Sequence, residues 1–268
     1  MQHSRYRAQL DWALQLAALA EQKILPWYQR CAVSHKADGS EVTEADRGAE
    51  QAIREHLAQH FPQHAVLGEE FGGPHAADDL WIIDPLDGTS AFALGLPLFG
   101  TLIAYLDRGR PVVGVIHFPV LGETVYAAEG GGCWFRRGAD APERVQVAAS
   151  VPLHEAVVSA SGMHASDIWP AADGAAWRVS PLLQRVRKFR FCGDCMQHAL
   201  ICRGNLHAAI DTIMQPWDIA ALLPCIHEAG GVASSAGGQR DGLVFAGSLA
   251  SACSEAVLEE VLAVLNGK

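Results

Sequence analysis

The segment Trp81-Ile82-Ile83-Asp84-Pro85-Leu86-Asp87-Gly88-Thr89 constrains this chain more than any other. An apolar run of the kind a buried strand needs ends in two acids three residues apart, and a Gly-Thr turn follows. Pro85 stiffens the turn between the acids, which can direct both carboxylates towards one point. Carboxylate oxygens suit a hard cation such as Mg²⁺. Gly88 lets the backbone approach a ligand closely. The N–H groups of Gly88 and Thr89, in a turn leading into a helix, suit an anion. One short segment therefore offers both halves of a metal-assisted phosphoryl-transfer site.

The chain can bury a core large enough to support such a site. It has 268 residues, 50% of them hydrophobic and 19% charged, which fits one large domain or two closely joined ones and argues against disorder. A formal net charge of −10 argues against nucleic acid and anionic membranes as partners. It leaves a phosphate substrate open, because bound cations reverse the local field. No run is apolar enough to span a bilayer, and the polar opening from Met1 to Asp11 does not read as a signal peptide. The seven cysteines are odd in number and scattered, as expected of reduced thiols in a cytoplasmic protein.

Helical periodicity is predicted from Tyr6 to Leu25, where Pro26 follows, and from Thr43 to His60, with Thr43 as N-cap and acids in the first turn. Leu80 to Ile83 reads as a short buried strand. Thr101 to Leu106 and Val112 to Phe118 read as strands paired around an Asp-Arg-Gly-Arg turn, and Glu123 to Ala128 continues the sheet. The pattern shifts near Pro142 to Pro152. Beyond it, strands at Ala156 to Ser161 and Ala208 to Thr212 alternate with helices at Pro181 to Arg187, Met196 to Cys202, Trp217 to Ala229 and Ala256 to Leu265. That alternation suggests a layered α/β subdomain over residues 146–268, joined to an N-terminal α+β subdomain over 1–145 in one compact catalytic unit.

Four blocks now stand in order: Lys36 to Asp46 (KADGSEVTEAD), Gly68-Glu69-Glu70, the Asp84 to Thr89 segment, and Trp217-Asp218-Ile219-Ala220-Ala221. Together they resemble the inositol monophosphatase family of metal-dependent phosphomonoesterases, over most of the chain from about Lys36 onwards. The resemblance implies an α/β fold, the layered α-β-α-β-α sandwich shared with fructose bisphosphatases, and a homodimer. It implies two or three Mg²⁺ ions per site, held by Glu69, Asp84, Asp87, Asp218 and the carbonyl of Leu86. Phosphate would rest on Asp87, Gly88 and Thr89. A metal-activated water would be oriented or deprotonated by Thr89 and Asp46, with Glu69 assisting. Lys36 would belong to a loop that helps close the site. The physical reading agrees in part, since four clustered carboxylates repel one another unless divalent cations are present.

The segment Arg190-Phe191-Cys192-Gly193-Asp194-Cys195 resembles the family's histidinol-phosphatase branch. Asp211 falls where the family uses an acid to hold the non-phosphate part of its substrate. Arg190, Asp194 and Asp211 are thus the candidate substrate-binding residues. Two acids near the leaving group suit a cationic amine, which histidinol phosphate carries, better than a neutral polyol. Met196 stands where that branch usually has tyrosine, and Ser90 where it usually has lysine. An inositol-1-monophosphatase, or a phosphatase of a related small ester, is the alternative within the same chemistry. A catalytically silent binding protein would be expected to have lost a carboxylate or Thr89, and all are present. A calcium module would gather its acids in one loop, whereas these run from Glu69 to Asp218. Cys192 and Cys195 form a CxxC with no second ligand pair, which is not expected to hold zinc.

Overall fold

In this computed structural model, residues 4–30, 34–35, 41–172, 174 and 177–268 are described. Lys36 lies outside them. Helix α1 (Arg7–Ile24) buries Leu10, Ala13, Ala17, Ala20 and Ile24, the three-and-four spacing of a helix with one apolar face. It passes into a short 3₁₀ turn (Leu25–Trp27) at Pro26, which cannot donate to a preceding carbonyl. Two short antiparallel strands, β1 (Ser34–His35) and β2 (Glu41–Val42), precede α2 (Glu44–His60). As the sequence leads one to expect, Thr43 caps α2, and Asp46 closes the box by accepting from the Thr43 N–H.

A seven-stranded sheet follows in chain order: β3 (Ala65–Gly68), β4 (Asp79–Asp87), then, after the short α3 (Thr89–Ala93), β5 (Gly100–Asp107), β6 (Arg110–Phe118), β7 (Glu123–Ala128), β8 (Cys133–Arg137) and β9 (Glu143–Val145). β3 runs parallel to β4 and every other neighbour is antiparallel. Leu80 and Ile82 of β4 enter one core, while Trp81 and Ile83 enter another. The sheet is therefore covered on both faces, which is why β4 reads as an unbroken apolar run.

The rest of the chain builds β10 (Val157–Ala160), α4 (Ser180–Arg185), β11 (Lys188–Phe191), α5 (Asp194–Cys202), β12 (Ala208–Asp211), α6 (Pro216–Ala220), α7 (Leu222–Glu228), β13 (Val232–Ser234), β14 (Leu249–Ala252) and α8 (Glu255–Leu265). Its five strands lie in the order β11-β10-β12-β14-β13, with β11, β10 and β12 parallel and β14 antiparallel to both its neighbours. Helices α1 and α2 cover the outer face of the large sheet. Helix α7 touches both sheets, α5 packs between it and the small sheet, and α4 and α8 close the far side of the small one. The result is the α-β-α-β-α layering expected from the sequence.

The expected single helix from Trp217 to Ala229 is instead two, α6 and α7, meeting at Ala221. Pro224 is the cause: it has no N–H for the carbonyl of Ala220, and its ring collides with that carbonyl in a continuous helix. The junction sits hard on β6, where a Cβ on Gly114 would lie 2.1 Å from the Ala221 carbonyl oxygen. Helix α6, with Asp218, packs against β4 and β5 of the large sheet.

Candidate active site

Residues three apart in a regular strand point to opposite faces. Asp84 and Asp87 do not, because β4 carries a bulge between them. Asp84 pairs with Leu102 and Asp87 with Gly100, so three steps on β4 match two on β5. The extra residue reverses the alternation and brings both carboxylates to one side. Pro85 sits in the bulge, its carbonyl held by Thr101 Oγ1 at 2.8 Å. Asp84 Oδ1 accepts the Leu86 N–H at 2.9 Å.

Asp218 arrives from the other half of the chain. It occupies the third position of α6, where it accepts the Gln215 N–H at 2.6 Å and closes a capping box. Asp84, Asp87 and Asp218 each offer an oxygen, all within 4.8 Å of one another. Burial, then the charges of Glu69, Asp87 and Asp218, hold Asp84 well above the usual carboxylate range. Burial, then the charges of Asp194 and Asp218, do the same to Asp87. Asp218 is pushed up to about 7, by burial first and with Glu69 and Asp211 adding to it. Such a set is short of positive charge. All of its donor atoms are hard oxygens, so it fits Mg²⁺ or a similar cation and not a soft metal.

Glu69 follows β3 and faces the same point closely enough for its charge to act on Asp46, Asp84 and Asp218. Its loop is held by Glu50, a residue that no motif marks. This fully buried carboxylate accepts the Glu70 N–H at 2.7 Å and the Phe71 N–H at 3.3 Å, and pairs with Arg54 at 2.7 Å. Gly68 makes room for it, since a Cβ there would lie 2.1 Å from Glu50 Oε1.

Thr89 Oγ1 lies 3.2 Å from the Leu86 carbonyl and 3.4 Å from Asp46 Oδ1, the hydroxyl donating inwards to these two acceptors. Asp46 is fully buried, and its Oδ2 takes the Thr43 N–H and hydroxyl at 2.7 and 2.5 Å. Gly88 adopts φ 89°, which glycine tolerates best, and starts α3. The first N–H groups of a helix have no partner within it, so the Gly88-Thr89 turn presents donors beside the three carboxylates.

Asp87 and Asp218 also border a cavity of about 450 Å³, walled in addition by Asp194, Asp211, Ser90, Ser161, Gly162, His164 and Thr212 to Met214. Asp194 heads α5 at φ 45°, a left-handed conformation that aspartate adopts more readily than most residues. The next N–H, of Cys195, donates to Asp87 Oδ2 at 2.7 Å, which ties α5 to the carboxylate cluster. Burial, then the charge of Asp211, raises Asp194 to about 6. The Cys195 thiol is pushed well up by burial, and a Cβ on Gly100 would lie 2.7 Å from its sulfur.

Arg190 stands apart from the other candidate substrate-binding residues. It lies on the edge strand β11, exposed, with its guanidinium on the Phe189 carbonyl at 3.0 Å, and it is not part of the cavity wall. The wall residues Ser161, Gly162, His164, Ile213 and Met214 went unmarked in the sequence, because they sit in loops after β10 and β12 with no motif of their own.

A layered α/β fold that gathers three carboxylates suited to a hard cation beside a helix start suited to an anion has the make-up of a phosphoric-ester hydrolase. The chain belongs to the inositol monophosphatase family, whose pattern it matches over residues 5–266, and it is a phosphatase of phosphate monoesters. It is 38% identical over 225 residues to a histidinol-phosphatase of Chlorobaculum parvum, covering 83% of each chain. It is 33% identical over 233 residues to a fructose-1,6-bisphosphatase/inositol-1-monophosphatase of Thermotoga maritima, covering 85% of this chain and 86% of that one. The inositol monophosphatase structure from Zymomonas mobilis superposes with a TM-score of 0.84 at 29% identity, over 98% of this chain and all of the other.

Proposed function

We propose that this phosphatase is Mg²⁺-dependent and releases phosphate from histidinol phosphate. One observation carries the substrate: two carboxylates, Asp211 buried and Asp194 half-buried, wall the same cavity as Asp87 and Asp218. The phosphate end and the acidic end are thus parts of one pocket, and a small ester with a cationic amine fits its charge pattern. The histidinol-phosphatase relative supports the same choice.

Glu69, Asp84, Asp87, Asp218 and the Leu86 carbonyl would hold the cations, two or three in number. When bound, the metal supplies charge neutralisation at the phosphate and a water of lowered pKa. The Gly88 and Thr89 N–H groups hold phosphate oxygens. The Thr89 proton is committed inwards to Asp46 and Leu86, so its oxygen lone pairs face the attacking water and orient it. Asp194 and Asp211 hold the ammonium group of the departing alcohol. A homodimer, which the family resemblance implies, and a cytoplasmic setting, which the scattered cysteines favour, complete the proposal; among the described residues no helix is long and apolar enough to cross a membrane.

The test is phosphate release from histidinol phosphate and inositol 1-phosphate, each with Mg²⁺ and with excess chelator. The expected result is metal-dependent turnover with the higher kcat/KM for histidinol phosphate. A preference for inositol 1-phosphate would move the chain to the reading that the Thermotoga relative favours, and full activity in chelator would end the metal-assisted mechanism.

A further inference from the structure

Asp194 and Asp211 border the same cavity, yet only Asp211 is gripped from behind. Its Oδ2 lies 2.8 Å from His198 Nε2 and accepts the Gln197 amide N–H at 2.6 Å. The other ring nitrogen of His198, Nδ1, lies 2.8 Å from Ser251 Oγ. His198, Gln197 and Ser251 are fully buried and do not wall the cavity, whereas Asp211 does.

The chemistry of the groups sets the direction of this chain. An ionised carboxylate only accepts, so Nε2 of His198 carries the proton it donates to Asp211. In the neutral imidazole Nδ1 is then the acceptor, and Ser251 donates to it. Two donors occupy Asp211 Oδ2. Among the described residues no group donates to Oδ1, which is left for the cavity. Asp194 and His198 are four residues apart on α5 and so share one face of it. One helix face presents Asp194 to the cavity directly and fixes Asp211 through His198. An apolar residue at 198 would pack α5 against β12 and β14 without the cost of burying an imidazole. Packing alone therefore does not call for histidine here.

We propose that His198, aligned by Ser251, is a positioning residue for substrate selection: it locks the Asp211 carboxylate so that Oδ1 meets the ammonium group of an amine-bearing phosphate ester. The inference rests on the histidinol phosphate reading and adds a residue to it.

The experiment measures kcat/KM for histidinol phosphate and for the same ester without its amine. The enzymes are wild type, His198→Phe, His198→Gln and Ser251→Ala, each first checked for a cooperative thermal transition. Wild type should prefer the amine. His198→Phe should lower that preference roughly tenfold, the scale of one charge-assisted hydrogen bond, chiefly through KM for the amine substrate. His198→Gln, which can return an N–H to Oδ2, should restore most of it. Should His198→Phe fail to fold, Ser251→Ala keeps the ring and removes only its alignment, and should lower the preference by about threefold, a fraction of that same bond. An unchanged preference in a folded His198→Phe or in Ser251→Ala, or a His198→Gln no better than His198→Phe, overturns the role. A wild type indifferent to the amine overturns the substrate reading itself, and the role with it.

Discussion

Beside one end of the cavity Asp84, Asp87 and Asp218 crowd within 4.8 Å of one another, and burial first, then neighbouring carboxylate charges, raises their proton affinities. At the other end Asp211, as deeply buried, has an imidazole and an amide N–H on a single oxygen. Both are carboxylate sites, but the first is under-compensated and the second is provided for by the protein. The first end needs cations from solution to be ionised and stable. The second holds its geometry without them and leaves one oxygen for substrate. The charge of Asp194 acts on Asp87 of the first end, and that of Asp211 acts on Asp194.

The largest effect should come from the crowded end. Asp84→Asn removes a charge aimed at the metal position while keeping a side-chain oxygen for the Leu86 N–H. It should lower kcat/KM on the order of a thousandfold for every ester alike, since metal assistance is worth several kcal/mol. A loss confined to one substrate would show that the two ends are not separate in role.

At the other end the effect should be smaller and selective. Asp194→Asn removes charge but suits the left-handed conformation at φ 45°. It should reduce kcat/KM for histidinol phosphate about tenfold more than for inositol 1-phosphate, as the loss of one charge-assisted hydrogen bond would. An equal fall on both substrates would assign Asp194 to the metal end.

Glu50 tests how far the metal end depends on its support. Glu50→Gln keeps the shape but weakens the hold on the Glu69 loop and on Arg54. The concentration of Mg²⁺ needed for half-maximal activity should rise about tenfold, the usual scale for residues that orient metal ligands. A fall in Tm with an unchanged Mg²⁺ requirement would make Glu50 purely structural.

The metal end was far more legible in the sequence than its supports. Asp84, Asp87 and Asp218 sit in short motifs whose residue types belong together. The bulge that turns the first two to one side is written only in Pro85, and that residue alone does not disclose a change of register. Glu50 looks like any acid on an amphipathic helix until the Glu69 loop folds over it. His198 is one of twelve histidines, and its partners lie 13 and 53 residues away. Short strands such as β3, β8, β13 and β14 have three to five residues each, too few for a periodicity to stand out. The break between α6 and α7 could have been read, since Pro224 was there to mark it.

The smallest and most general effect is on stability. In the metal-free protein burial first, then neighbouring carboxylates, pushes Asp218 up to about 7 and Asp194 up to about 6, with Asp84 and Asp87 raised as well. In the unfolded chain an aspartate titrates at about 3.9. The folded state therefore binds protons more tightly, and these groups contribute stability that is fully present below about pH 4 and is lost as pH rises from there through about 7. The lowered pKa values of His56, His117, His207 and His227 act with the opposite sign, favouring the fold as pH rises through the ordinary histidine range. These histidines contribute equally with and without metal, so the difference between the two conditions isolates the carboxylates. Mg²⁺ favours the ionised cluster and competes with protons for it. The gain in Tm on adding saturating Mg²⁺ should be small at pH 5 and grow by a few degrees towards pH 8. Thermal melts at three pH values, in Mg²⁺ and in chelator, measure it. A gain independent of pH would mean that the cations bind away from the crowded carboxylates, and the contrast between the two ends would fail.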